Sequence, residues 1–136
     1  MKYMLIMNTP RDGYTQYMSW PKKVLEANIA FMQAFSKKLS AAGELVGAEG
    51  LASPLQAKLV RAGKDGKPIT DGVFPESKEF LAGYWIIDVD SPERAYQIAA
   101  EASTAPGATI ASADGTSLDH LWIEVRQLMS SHKDLP

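Results

Sequence analysis

The sequence predicts an α+β fold in which two helices cover one face of an antiparallel sheet. Three observations carry this reading. Short β-forming segments are rimmed by turn residues, two longer segments repeat apolar residues at helical spacing, and the two kinds alternate along the chain. The resulting order is strand, helix, strand, hairpin, strand, helix, strand.

Lys2 to Asn8 is apolar and ends at Thr9-Pro10, which suits a strand. The segment from Thr9 to Tyr14 carries Pro10 and Gly13 and reads as a loop. From Pro21 to Ala42, Leu25, Ile29, Met32, Phe35, Leu39 and Ala42 recur at three- and four-residue steps, giving an amphipathic helix. Ser19 or Trp20 can cap its start, Pro21 suits its first turn, and Gly43 is placed to end it. Glu44 to Leu51 reads as a second strand. Gln56 to Ala62 and Lys67 to Thr70 flank Gly63-Lys64-Asp65-Gly66, whose Asp-Gly pair favours a tight reversal. Ala82 to Asp90 is the third main strand. Ser91-Pro92-Glu93 signals a helix start, followed by an Ala95, Ile98, Ala99, Ala102 stripe. A small-residue loop from Ser103 to Asp119 leads to a closing strand, Leu121 to Leu128. Without the hairpin the order is βαββαβ, so the expected architecture is ferredoxin-like with an inserted β-hairpin. Residues 1–129 are expected to form a single domain, and 130–136 a polar tail.

Composition narrows the function classes. Fourteen Lys and Arg against sixteen Asp and Glu leave a net charge of -2, with no surplus of cations for nucleic-acid phosphates. The absence of Cys removes disulfides, thiolate zinc sites and thiol nucleophiles. The only histidines, His120 and His132, lack a zinc spacing, and no Gly-rich phosphate loop is present. Neither metal nor organic cofactor is expected. The apolar run Tyr3 to Met7 is too short for a signal-peptide core, and no stretch is long enough to span a membrane. A cytoplasmic protein is the expectation.

Strand alternation assigns the two faces of the sheet. Trp85, Ile87 and Val89 share one side, opposite Tyr84, Ile86 and Asp88. Leu121, Ile123 and Val125 share a side, opposite Trp122, Glu124 and Arg126. The apolar sets suit the helix-facing core. The other face mixes rings with charges, and Glu49 of the second strand joins it. Pairing of that face with a second copy is the economical reading, with a polar cleft between the two sheets; a solvated face with two exposed aromatics is the alternative.

The segment Asp71-Gly72-Val73-Phe74-Pro75-Glu76-Ser77-Lys78-Glu79 resembles the signature of the YCII-related family, in its DGPF branch. Val73 stands where that branch has Pro, and Pro75 occupies its variable position. The opening Met1 to Leu5, Gly47 to Leu51, Gly83 to Val89 and Ile123 to Arg126 match further family pieces in order. The resemblance implies a dimeric α+β barrel, built from two protomers facing their sheets together. It implies no single reaction; branch members are often associated with sigma factors. Some wider relatives act on chlorinated aromatics with an early His-Asp pair, which this chain lacks.

Two constellations are candidate sites. Asp71, Glu76, Lys78 and Glu79 concentrate charge in one loop, where a carboxylate raised by burial can act as a base and Lys78 can anchor a ligand; the same groups can also pair structurally. Asp88 and Glu124 are candidate bases on the mixed face, with Arg126 as a fork-like anchor, Tyr84 and Trp122 as flat walls, and Glu49 beside them. An Arg126–carboxylate pair within a dimer core is the alternative. Two functions follow. One is a homodimer that binds a small organic molecule, aromatic or carbonyl, with cofactor-free acid–base chemistry. The other is a non-enzymatic regulatory or scaffold protein.

Overall fold

The computed structural model describes residues 1–72, 79–107, 110–111, 117–118 and 122–129. The elements run β1 (Lys2–Thr9), α1 (Gly13–Met18), α2 (Lys22–Ala41), β2 (Leu45–Gly50), a 3-10 turn (Pro54–Gln56), β3 (Leu59–Ala62), β4 (Pro68–Asp71), β5 (Phe80–Asp88), α3 (Pro92–Ser103), β6 (Ile110–Ala111), β7 (Ser117–Leu118) and β8 (Ile123–Gln127). Strands β2, β5, β1 and β8 form one antiparallel sheet in that order, the ferredoxin-like arrangement. β3 and β4 pair only with each other, and all eight of their residues are exposed.

The predicted start and stop signals act as expected, with small shifts. Ser91 Oγ accepts the Arg94 backbone N–H at 3.2 Å, capping α3, whose first residue is Pro92. At the end of α2 the Glu44 N–H bonds Leu39 O at 2.9 Å and the Gly43 N–H bonds Ser40 O at 3.0 Å. That closure is a Schellman motif and needs a left-handed residue; Gly43 provides it with φ 72°. Gly66, at φ 79°, does the same for the β3–β4 reversal.

Four sequence expectations are corrected. Residues from Gly13 form the short helix α1 rather than continuing a loop, and Ser19 ends that helix instead of capping α2. Its six residues are too few to show a periodic stripe. In α2, Ile29 is 43 % exposed and Asn28 is buried in its place, one position round the helix. β5 begins at Phe80, because Thr9 extends β1 far enough to pair with it. The expected closing strand is present as Ile123–Gln127; Leu121 and the 130–136 tail lie outside the described residues.

One core unites the layers: Tyr3, Leu5, Trp85, Ile87 and Val89 from the sheet, Phe35 and Leu39 from α2, and Ala95, Ile98, Ala99 and Ala102 from α3. The Trp85 ring meets Phe35 edge to face at 5.6 Å. Helices therefore cover the face predicted from alternation. The register sets Met4 against Arg126 and Ile86, and Ile6 against Glu124 and Tyr84, so these side chains share the opposite face.

A two-pronged ion pair fixes α3 to the start of β2. Arg94 donates through Nε and an Nη to the two Glu44 carboxylate oxygens, both at 2.8 Å. These bonds hold the Glu44 carboxyl below its ordinary range, against a smaller opposing effect of burial. Folding thus favours the ionised form. The stabilisation is complete above the carboxyl pKa of the unfolded chain and is lost as pH falls through the depressed folded value. Solvent reaches the guanidinium, so Glu44→Gln should cost only about 1 kcal/mol at pH 7. Urea melts of both proteins at pH 7 and pH 3 should show that gap closing in acid; a gap that widens there would reverse the sign.

Candidate functional site

The corner where β2 meets β5 is poor in side chains on the helix-facing side. Ala48 pairs with Trp85 and Gly50 with Gly83, so one large ring stands beside three small positions. A Cβ on Gly50 would meet nothing within 4 Å, whereas one on Gly83 would come within 2.9 Å of the Glu49 carbonyl oxygen. Gly83 therefore lets the two backbones close up, and Gly50 leaves the space above them empty. Ala82, the extra residue where β5 slips against β1 between Met7 and Asn8, also lies here.

Above this corner the two helices form a roof over a cavity of about 680 Å³. That volume suits a drug-sized organic molecule. Tyr14 and Tyr17 enter from α1, and Asn28, Met32, Gln33 and Ser36 from α2. Met7 and Thr9 of β1, Leu51 and the sheet corner complete the wall. The lining is largely apolar with a few polar groups, the usual composition of a ligand site.

Those polar groups are held in place. Asn28 is 7 % exposed, and its amide N–H donates to Pro106 O at 2.9 Å, behind α3. The Tyr17 hydroxyl donates to Asn28 Oδ1 at 3.4 Å, joining α1 to α2. Burial, helped by the neighbouring Tyr14, pushes the Tyr17 phenol above its ordinary pKa, so it is protonated at neutral pH. The Tyr17 ring lies 5.0 Å from Trp20 and tilted 60° to it, which fixes the ring plane. Glu49 also borders the cavity, but it pairs with Tyr84, so its exposed carboxylate projects from the helix-free face of the sheet.

The residues expected from the sequence separate into groups. Glu49 and Tyr84, opposite each other in the register, both border the cavity. Asp88, Glu124, Arg126, Trp122 and Asp71 lie outside its lining. Asp88 accepts the Met1 ammonium at 3.0 Å. Glu124 and Arg126 stand 3.6 Å apart as an exposed pair, and Trp122 is 88 % exposed beside them. The Asp71 carboxylate accepts the Gly72 N–H at 2.8 Å, a local turn contact. Glu76, Lys78 and His120 lie outside the described residues.

Sequence reasoning passed over Tyr14, Tyr17 and Asn28. A signal for Asn28 was present: it lies four residues before Met32, seven before Phe35 and eleven before Leu39, on their helix face. A stripe sought among apolar residues skips it. Tyr14 and Tyr17, three apart, share a face only once their short helix is known.

A family model for the YCII-related domain matches residues 1–113. The chain belongs to the YCII-related family. In this YCII-related chain the matched residues include α1, α2, β2 and β5, and so all of the cavity lining. β8, with Glu124 and Arg126, lies beyond them. No curated protein matches the chain. Among the described residues no group of three His, Cys, Asp or Glu side chains gathers as metal ligands would, and no described helix is long and apolar enough to cross a membrane.

Proposed function

We propose that this YCII-related chain binds a small organic molecule in the cavity between its helices and the β2–β5 corner. The single observation behind this reading is the mostly apolar hollow of about 680 Å³ with a fixed Tyr17–Asn28 pair on its wall. The ligand class, an aromatic or carbonyl compound, suits the rings of Tyr14, Tyr17 and Trp85. Among the described residues no lining carboxylate projects from the helix-facing side, so the reading is one of binding, with no proton acceptor assigned.

The proposal extends to a homodimer of the DGPF-branch type, with the helix-free sheet faces packed together. Support comes from Met4, Ile6, Tyr84 and Ile86, which are only half-buried on that face and are flanked by Glu124 and Arg126. In such a dimer the two charged groups would meet the partner rather than a ligand.

A panel of uncharged ring compounds, followed by ligand-observed NMR, tests the binding reading. Saturable binding of one molecule per chain is expected. Failure of every ring compound to saturate would remove it, leaving a regulatory or scaffold role. Sedimentation velocity at micromolar concentration should show dimers; monomers alone would remove the pairing.

A further inference from the structure

Asn28 is the buried polar side chain among the described residues, and it stands in the interior of α2, where Asn costs up to about 0.7 kcal/mol relative to Ala. An Asn amide has two N–H donors and an oxygen with two lone pairs. Among the described residues its partners are Pro106 O, which takes one N–H, and the Tyr17 hydroxyl, which takes one lone pair. One amide N–H and one oxygen lone pair are left. The Tyr17 hydroxyl, with its proton turned towards Asn28 at 3.4 Å, keeps its oxygen lone pairs for a newcomer. Both residues line the cavity. The wall therefore offers a donor and an acceptor side by side within an apolar hollow.

A neutral hydroxyl fits that pair, because it accepts and donates at once. A ketone satisfies the donor alone. A carboxylate brings two acceptors and a negative charge into a largely apolar hollow, so it loses a hydrogen bond and bears the cost of desolvating its charge. We infer that Asn28 and Tyr17 form the recognition point for the hydroxyl of an uncharged phenol-like ring and select it over the corresponding carboxylate. This rests on the proposed cavity binding and names the ligand class for it.

Three probes of one shape test it: toluene, p-cresol and p-toluate, titrated at pH 7 against the full chain and followed by NMR. The native protein should bind p-cresol at least fivefold tighter than toluene and at least tenfold tighter than p-toluate. Tyr17→Phe keeps the ring and removes the hydroxyl; it should reduce the p-cresol preference over toluene to twofold or less. Asn28→Leu should do the same, and Tyr17→Phe alone suffices should Asn28→Leu not fold. A merely structural role would weaken toluene and p-cresol together. Toluene binding without a p-cresol preference, a preference that survives Tyr17→Phe, or tightest binding of p-toluate would each overturn the assignment while leaving the cavity reading intact. No saturation by any probe would overturn both.

Discussion

Replacing Trp85 by Ala should destabilise the protein by about 3–5 kcal/mol, the range for deleting a large buried ring. The ring is 6 % exposed on β5, a strand paired on both sides, and it contacts Phe35 of α2 edge to face. Its removal would join a new void to the existing cavity and strip that helix of a packing partner. Domains of this kind hold only about 5–15 kcal/mol in reserve, so much of that margin would go. The urea midpoint should fall sharply while the slope is kept. A loss below about 1 kcal/mol would mean that Phe35 and Met32 collapse into the gap, and that the corner is less rigid than its packing indicates.

The second large effect concerns binding. Gly50→Leu should lower affinity for any cavity ligand at least tenfold, equivalent to about 1.4 kcal/mol, with folding stability changed by less than about 1 kcal/mol. A side chain at Gly50 starts in open space and projects from the same face as Ala48, into the cavity. Gly47 makes a matched control. A Cβ there would also meet nothing within 4 Å, but Gly47 pairs with Ile86 and so faces away from the helices. Gly47→Leu should leave ligand affinity within twofold. It should instead disturb self-association, because it places bulk on the face proposed to meet a second copy. If Gly47→Leu abolishes binding and Gly50→Leu spares it, the ligand sits on the open side of the sheet.

These two glycines show where reading the sequence runs out. From the residues alone they weaken a strand and blur its register, and nothing in β2 reveals which of them floors a hollow. The distinction comes from an extra residue at Val46, because Leu45 pairs with Ile87 and Gly47 with Ile86. That slip reverses the alternation partway along the strand. The same limit governs Glu49 and Arg126. Both were expected on the mixed face and both lie there, but only Glu49 stands at the cavity's edge, since β2 and β8 are opposite edges of the sheet.

What the chain encodes locally, it also declares locally. Helix α3 was readable from Ser91, Pro92 and the Ala95–Ala102 stripe, and the end of α2 from Gly43, because caps and periodicity act between near neighbours. The choice of Trp85, Ile87 and Val89 as the helix-facing side followed from alternation and hydrophobicity. The cavity is of another kind. It exists because Gly50 meets Gly83 across a strand pair, a six-residue helix lies over them, and a polar Asn28 turns inward to hold Tyr17. Each of these residues is unremarked by its neighbours in sequence, and only long-range packing brings them to a common space.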